Sequence, residues 1–263
     1  MIMAIISLAA RGWLKHFAAL AAIRIVGVIG VCLVLASSTP FPLWAYAVWL
    51  VLWVAPFVVP FQRARRLIFL PFLLISGVLC LLEVPHCLTP KIPVSQDQHI
   101  YVLGDSLSAG ISPSERTWPL VLGDLCRLNV TNLAQPGATT ADALRQDKGI
   151  LEPKSLILIE IGGNDLLGSA SSEEFSRKLD QLLSDIPSTC SCAMFELPLL
   201  PFCSGYGEAQ RNLARKHNVI LIPKKCLVKV IGGNGNTLDG LHLSQKGHDA
   251  LAHAVSGMLS VRR

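Results

Sequence analysis

From residue 99 onward, short apolar runs alternate with longer amphipathic stretches. The runs at 99–103, 130–133, 155–161, 192–197 and 219–222 are apolar on both sides, as strands buried within a sheet must be. Between them, apolar residues recur at helical spacing. Trp118, Leu120, Val121, Leu125 and Leu128 mark 117–128, and Phe175, Leu179, Leu182, Leu183 and Ile186 mark 172–186. Ser171 or Ser172 can cap the latter helix, with Glu173 and Glu174 at its positive end. Further helices are expected at 140–146, 207–217 and 244–259. The alternation predicts an α/β fold, a parallel sheet covered by helices on both faces.

The front third has a different pattern. No charged side chain occurs from Ile25 to Gln62, and none from Leu67 to Leu82. A bilayer core takes about 20 apolar helical residues. The segment Ser37-Ser38-Thr39-Pro40-Phe41-Pro42 interrupts the first run, which predicts three transmembrane helices at 17–36, 43–60 and 67–84. Arg24 falls within the first and would have to snorkel or face a partner helix. A cleaved signal peptide over 1–36 is the alternative for that segment. The expected organisation is a membrane region at 1–88, a linker rich in proline at 89–98 and a catalytic domain at 99–263. Arg11 and Lys15 precede the first span, and Arg63, Arg65 and Arg66 lie between the second and third. Basic loops stay in the cytoplasm, so the domain is expected on the periplasmic side of an inner membrane.

Charge and cysteine content narrow the chemistry. The net charge of +5 is modest, and no basic stripe interleaved with aromatics appears, so nucleic acid is not an expected partner. Cys87, Cys126, Cys190, Cys192, Cys203 and Cys226 fall in the exported part, where disulfides can form, and nothing selects a pairing. Cys190-Ser191-Cys192 lacks a second Cys/His pair at zinc spacing, so no metal is expected. No cofactor is called for, and the oligomeric state is left open.

Four polar blocks follow one another along the domain: Gly104-Asp105-Ser106-Leu107-Ser108, Gly137, Gly162-Gly163-Asn164-Asp165 and Asp239-Gly240-Leu241-His242. The first three follow successive strands and therefore share one edge of a parallel sheet, where sites form. Ser106 supplies a hydroxyl, His242 a base near neutral pH, and Asp239 a carboxylate three residues away to orient the imidazole. The Ser106 and Gly137 amides and the Asn164 side chain supply donors for an oxyanion. Asp105 is read as structural and Asp165 as a turn or pocket residue. Glu160, set in an apolar strand, needs a partner if buried. His217, His248 and His253 are read as surface residues. Leu197-Pro198-Leu199-Leu200-Pro201-Phe202 is either an apolar wall beside the site or ordinary loop packing.

In order and identity these blocks resemble the SGNH, or GDSL, hydrolase superfamily, and its lysophospholipase/thioesterase and arylesterase branch in particular. The resemblance covers about 100–255 and implies a three-layer α/β/α, flavodoxin-like domain. It implies Ser106 as nucleophile, His242 as base and Asp239 as its partner, with Ser106, Gly137 and Asn164 lining the oxyanion hole. The implied activity is hydrolysis of an acyl ester, of a lipid or an acylated glycan. The same residues would serve an acyl or acetyl transferase, and a non-catalytic binding module is the remaining alternative. The N-terminal spans have no counterpart in that branch.

Overall fold

Five parallel strands form the central sheet: β2 (Ile100–Gly104), β3 (Val130–Asn132), β4 (Leu156–Glu160), β5 (Ser191–Phe195) and β6 (Ile220–Ile222), in the order β3-β2-β4-β5-β6. They belong to a computed structural model that describes residues 25, 28, 43–58, 62–112, 114–146, 148–199 and 203–262. Two compact units divide the chain, Met1–Glu83 and Val84–Arg263.

Period-two alternation sorts the sheet into two cores. Ile100 and Val102 of β2, Leu156 and Leu158 of β4, and Ala193 and Phe195 of β5 share one core with Trp118, Leu122, Leu251 and Val255. Tyr101 and Leu103, Ile157 and Ile159, and Met194 share the other with Phe175, Leu179, Leu182 and Leu213. The first core is covered by α4 (Trp118–Cys126), α9 (Lys225–Ile231) and α10 (Gln245–Ser256). The second is covered by α5 (Thr140–Arg145), α7 (Ser172–Asp185) and α8 (Ser204–Lys216). This is the expected three-layer α/β/α arrangement with a parallel sheet. β4 sits at its centre with every residue buried.

Caps fix where the covering helices begin. Ser171 Oγ accepts the Glu174 N–H at 3.2 Å, and Thr139 and Asp142 form a reciprocal capping box on α5. Two short helices start at the carboxyl ends of strands, α3 (Ser106–Ala109) after β2 and α6 (Gly163–Leu167) after β4. β3 and β4 lie on opposite sides of β2, so the crevice between β2 and β4 is a topological switch point.

Several expectations need correction. Within the stretch read as a linker, Ile92–Ser95 forms β1, which pairs in parallel with β7 (Leu259–Arg262). Ile92 and Val94 are buried in the first core, because their alternation with Pro93 and Ser95 gives the strand one apolar face. The helix expected over 244–259 therefore ends at Ser256. His248 is fully buried rather than on the surface, since its face of α10 packs on α4 and its Nδ1 accepts the Trp118 N–H at 3.2 Å. His217 is half-buried against Asp180, Nε2 to Oδ1 at 2.6 Å, while His253 is exposed. For Cys87, Cys126, Cys190, Cys192, Cys203 and Cys226 no pairing had been selected, and none of the six is bonded to another.

The first unit contains α1 (Leu43–Val58) and α2 (Gln62–Glu83). Trp49 stacks on Phe72 with centroids 5.6 Å apart, and its Nε1 donates to Ser76 Oγ at 3.1 Å. Outside that seam Val51, Leu67, Leu70, Leu74 and Leu81 are exposed. Among the described residues one stretch of 18, Leu70–Cys87, is long and apolar enough to cross a membrane. α1, at 16 residues, is shorter. The span expected at 17–36 lies outside the described residues, apart from Ile25 and Val28.

Candidate active site

The first strand end presents Ser106. Asp105 caps α3, its Oδ1 accepting the Leu107 N–H at 2.9 Å, so that Ser106 becomes the first helical residue. Asn132 Nδ2 donates to Ser108 O at 2.8 Å and ties the far end of the turn to β3. Among the described residues the Ser106 hydroxyl and backbone N–H have no hydrogen-bond partner.

Gly137 occupies the loop between β3 and α5. Its φ of +74° is a left-handed conformation that glycine adopts without penalty. A Cβ there would meet nothing within 4 Å, so the backbone borders open space. Close packing against protein is therefore not what requires glycine at 137. Its N–H also has no acceptor among the described residues.

Asn164 is the second residue of α6. Its Nδ2 donates to Ala138 O at 2.9 Å and, at a longer 3.3 Å, to Asp105 Oδ2. One side chain thus joins the loop of Gly137 to the turn of Ser106. Gly162 makes the entry to α6 possible: its φ is +111°, and a Cβ would stand 2.8 Å from Phe175 Cε2. Asp165 is buried, and its Oδ2 accepts the Thr140 N–H at 2.8 Å and the Thr140 hydroxyl at 3.0 Å. It holds α5 against α6.

Asp239 and His242 come from a closed loop. Thr237 bridges Leu243, and the Leu238 N–H donates to His242 O at 2.8 Å. Asp239 Oδ1 accepts the N–H groups of Leu241 at 3.0 Å and His242 at 2.8 Å, and Oδ2 lies 2.7 Å from His242 Nδ1. The His242 hydrogen bond, followed by the two backbone N–H groups, holds the Asp239 carboxyl well below the usual carboxylate range. His242 Nε2 has no hydrogen-bond partner among the described residues. The imidazole lies near enough to Asp105 for its charge to act there: burial raises the Asp105 carboxyl, against which Leu107, Glu160 and then His242 pull it down.

The structure joins Asp239 to His242, and Asn164 to both Asp105 and the Gly137 loop. It forms no hydrogen bond between Ser106 and His242. Glu160, left without a partner by sequence reasoning, accepts from Ser108 Oγ at 2.8 Å. The last serine of Gly104-Asp105-Ser106-Leu107-Ser108 was the available signal for that contact. Among the described residues, no group of three or more His, Cys, Asp or Glu side chains is placed to hold a metal ion. Leu197 is buried at this edge, and Leu200, Pro201 and Phe202 lie outside the described residues.

Residues 102–250 match the GDSL-like Lipase/Acylhydrolase family. A curated relative is the thioesterase 1/protease 1/lysophospholipase L1 of Escherichia coli (strain K12), 30% identical over 135 residues. That match takes in 47% of this chain and 65% of the relative, a little under two thirds of its length. Among solved structures, a psychrotrophic esterase EstA from Pseudoalteromonas sp., inhibited by monoethylphosphonate, superposes with a TM-score of 0.55 at 21% identity, over 62% of this chain and 96% of that one. TesA gives 0.55 at 24% identity, over 61% of this chain and 97% of its own. A G-D-S-L family lipolytic protein from Veillonella parvula DSM 2008 gives 0.52 at 18%, over 60% and 96%. At these identities the likeness speaks for the fold.

Proposed function

Since the chain belongs to the GDSL-like lipase/acylhydrolase family, we propose that it is an ester-hydrolysing enzyme and cleaves acyl esters through a Ser106-His242-Asp239 triad and an acyl-enzyme. The observation that carries this reading is the Asp239–His242 pair. A 2.7 Å bond engages Nδ1, and among the described residues neither Nε2 nor the Ser106 hydroxyl has a hydrogen-bond partner.

A serine hydroxyl attacks an ester only as its proton leaves. With Asp239 accepting at Nδ1–H, the neutral ring carries its lone pair on Nε2, which takes the Ser106 proton as Oγ bonds to the carbonyl carbon. The carbonyl oxygen becomes an oxyanion and is met by the unpaired N–H groups of Ser106 and Gly137. Asn164 Nδ2 is the third donor; its long bond to Asp105 is the one an oxyanion would share. Collapse breaks the bond to the leaving oxygen, which receives the proton from His242. Water, activated by the same imidazole, then releases the acid and restores Ser106.

The physical test uses the full-length chain in detergent with a fluorophosphonate probe. Labelling confined to Ser106, with loss of ester turnover in proportion, is expected. An unlabelled Ser106 in a chain that still turns over esters would sink the triad.

The N-terminal unit is read as a membrane anchor of about three spans that places the domain on the periplasmic side and near acyl esters of lipids or envelope glycans. The apolar outer surface of α1 and α2 and the Leu70–Cys87 stretch support this reading. The chain should stay with membranes after alkaline carbonate extraction, and recovery in the soluble fraction would refute the anchor.

A further inference from the structure

Beneath the Ser106 turn lies a buried acid for which the reaction above has no use. Glu160 ends β4, 1% exposed, in register with Gly104. The strand before it is apolar on both faces, so the carboxyl finds its partners at the strand end. Ser108 Oγ donates to Oε2 at 2.8 Å and itself accepts from Trp118 Nε1 at 3.1 Å, and both residues are fully buried. On its other side the Glu160 carboxyl lies beside that of Asp105, whose backbone N–H donates to Glu160 O at 3.2 Å. Asp105 in turn holds Leu107 N through Oδ1 and Asn164 Nδ2 through Oδ2. Among the described residues it is the group in contact with the buried acid, the nucleophile turn and the Asn164 amide alike.

Two carboxylates cannot both ionise side by side in a buried site. Asp105 collects N–H donors, which favour its charged form, whereas the side-chain donor to Glu160 is the Ser108 hydroxyl. The proton therefore belongs to Glu160. Burial, then the charge of Asp105, push Glu160 well above the usual carboxylate range. Among the described residues Asp105 is the ionisable group facing it, and Asp105 also feels His242 and Asp165.

We propose that Glu160 is a positioning residue acting as a neutral acid, whose proton bridges to Asp105 so that a singly charged pair holds the Ser106 turn and the Asn164 amide in place. This rests on the serine-hydrolase reading. Ionising Glu160 sets a second negative charge against Asp105, loosens its hold on Leu107 and Asn164, and lowers kcat with little change in KM.

The test measures kcat and KM for p-nitrophenyl acetate from pH 5 to 10, and Tm over the same range, on the full-length protein in detergent. Wild type is expected to lose kcat on the alkaline side. Glu160→Gln, whose amide still donates to Asp105 and accepts from Ser108, should flatten that limb. Glu160→Ala should lose about 10²-fold in kcat through misplacement of the nucleophile. Ser108→Ala removes a hydrogen bond that favours the ionised form, so the limb should move to higher pH; movement the other way, or superimposable wild-type and Gln profiles, would overturn the proposal.

The Tm series is independent of turnover. A group whose folded pKa is raised gives stability that is complete below its unfolded value and is lost as pH rises through the folded one. Wild type should therefore lose Tm relative to Glu160→Gln as pH rises from 5. A constant difference overturns the shared proton even with ester turnover intact. A growing difference in a chain that hydrolyses no ester overturns the serine-hydrolase reading, and the positioning role with it.

Discussion

Replacing Ser106 with alanine will leave the chain folded and lower kcat for p-nitrophenyl esters by about four to six orders of magnitude. Both halves of that expectation come from the same observation. The Ser106 hydroxyl has no hydrogen-bond partner among the described residues, so its removal breaks no bond of the fold. The features that shape the turn belong to its neighbours: the Asp105 cap on Leu107, the Asn132 contact to Ser108, and the buried Ser108 hydroxyl. Tm should consequently shift by less than about 2 °C, in keeping with a substitution that opens no cavity and strands no buried group. Without Oγ there is no acyl-enzyme, and the oxyanion donors can assist only direct attack by water. Turnover in the alanine variant within about tenfold of wild type, at unchanged Tm, would exclude a covalent mechanism through Ser106.

The order of elements in the domain was legible because both its periodicities were undisturbed. β4 is apolar on both faces, and Phe175, Leu179, Leu182 and Leu183 mark one stripe of α7; the structure buries both sets. Strand ends were legible for a related reason. Gly104 and Gly162 follow apolar runs, and polar residues placed after parallel strands share an edge. What escaped was local pattern too short to register, or pattern that only a partner explains. β1 has four residues, two of them apolar, and is a strand because β7 pairs with it. α9 is a seven-residue helix with two lysines among its apolar positions.

Polar residues inside the core were the harder case. His248 looks like any polar residue on a helix until the Trp118 N–H is found pointing at its Nδ1. The Glu115 carboxylate, 3.6 Å from Nε2, completes its surroundings. Glu196 is another: fully buried, it is held by Arg211 Nε at 2.7 Å and by the Lys224 N–H at 3.2 Å. In each case the deciding neighbour is distant in sequence, and no periodicity encodes it. The site was legible to the extent that its chemistry is local. Asp239 and His242 are three residues apart and meet within one loop. The links from Asn164 to Asp105 and Ala138, and from Glu160 to Ser108, come only with the coordinates.

Changing Asp239 to asparagine should lower kcat by about 10²–10⁴-fold at neutral pH, and more than changing it to alanine. Asp239 has two jobs, divided between its oxygens: Oδ1 accepts the Leu241 and His242 N–H groups that shape the loop, and Oδ2 accepts from His242 Nδ1. An asparagine that keeps the loop bonds with its oxygen must turn its NH2 toward the imidazole. A donor then faces Nδ1, the ring moves its proton to Nε2, and the lone pair needed by Ser106 is gone. Alanine leaves that space to water, which can accept from Nδ1–H, because position 239 is exposed; more of the productive tautomer survives. The wild-type pH profile adds a check with a definite sign. The Asp239 carboxyl is held below the usual range, so it remains ionised as pH falls to about 4, the ordinary carboxylate value. Any stability its interactions contribute is present above that value and is lost only as pH drops through the lower folded one. Loss of activity between pH 8 and 5 in the wild type therefore cannot come from Asp239. If alanine and asparagine variants fall equally, control of the tautomer is not what Asp239 contributes, and its part reduces to shaping the loop.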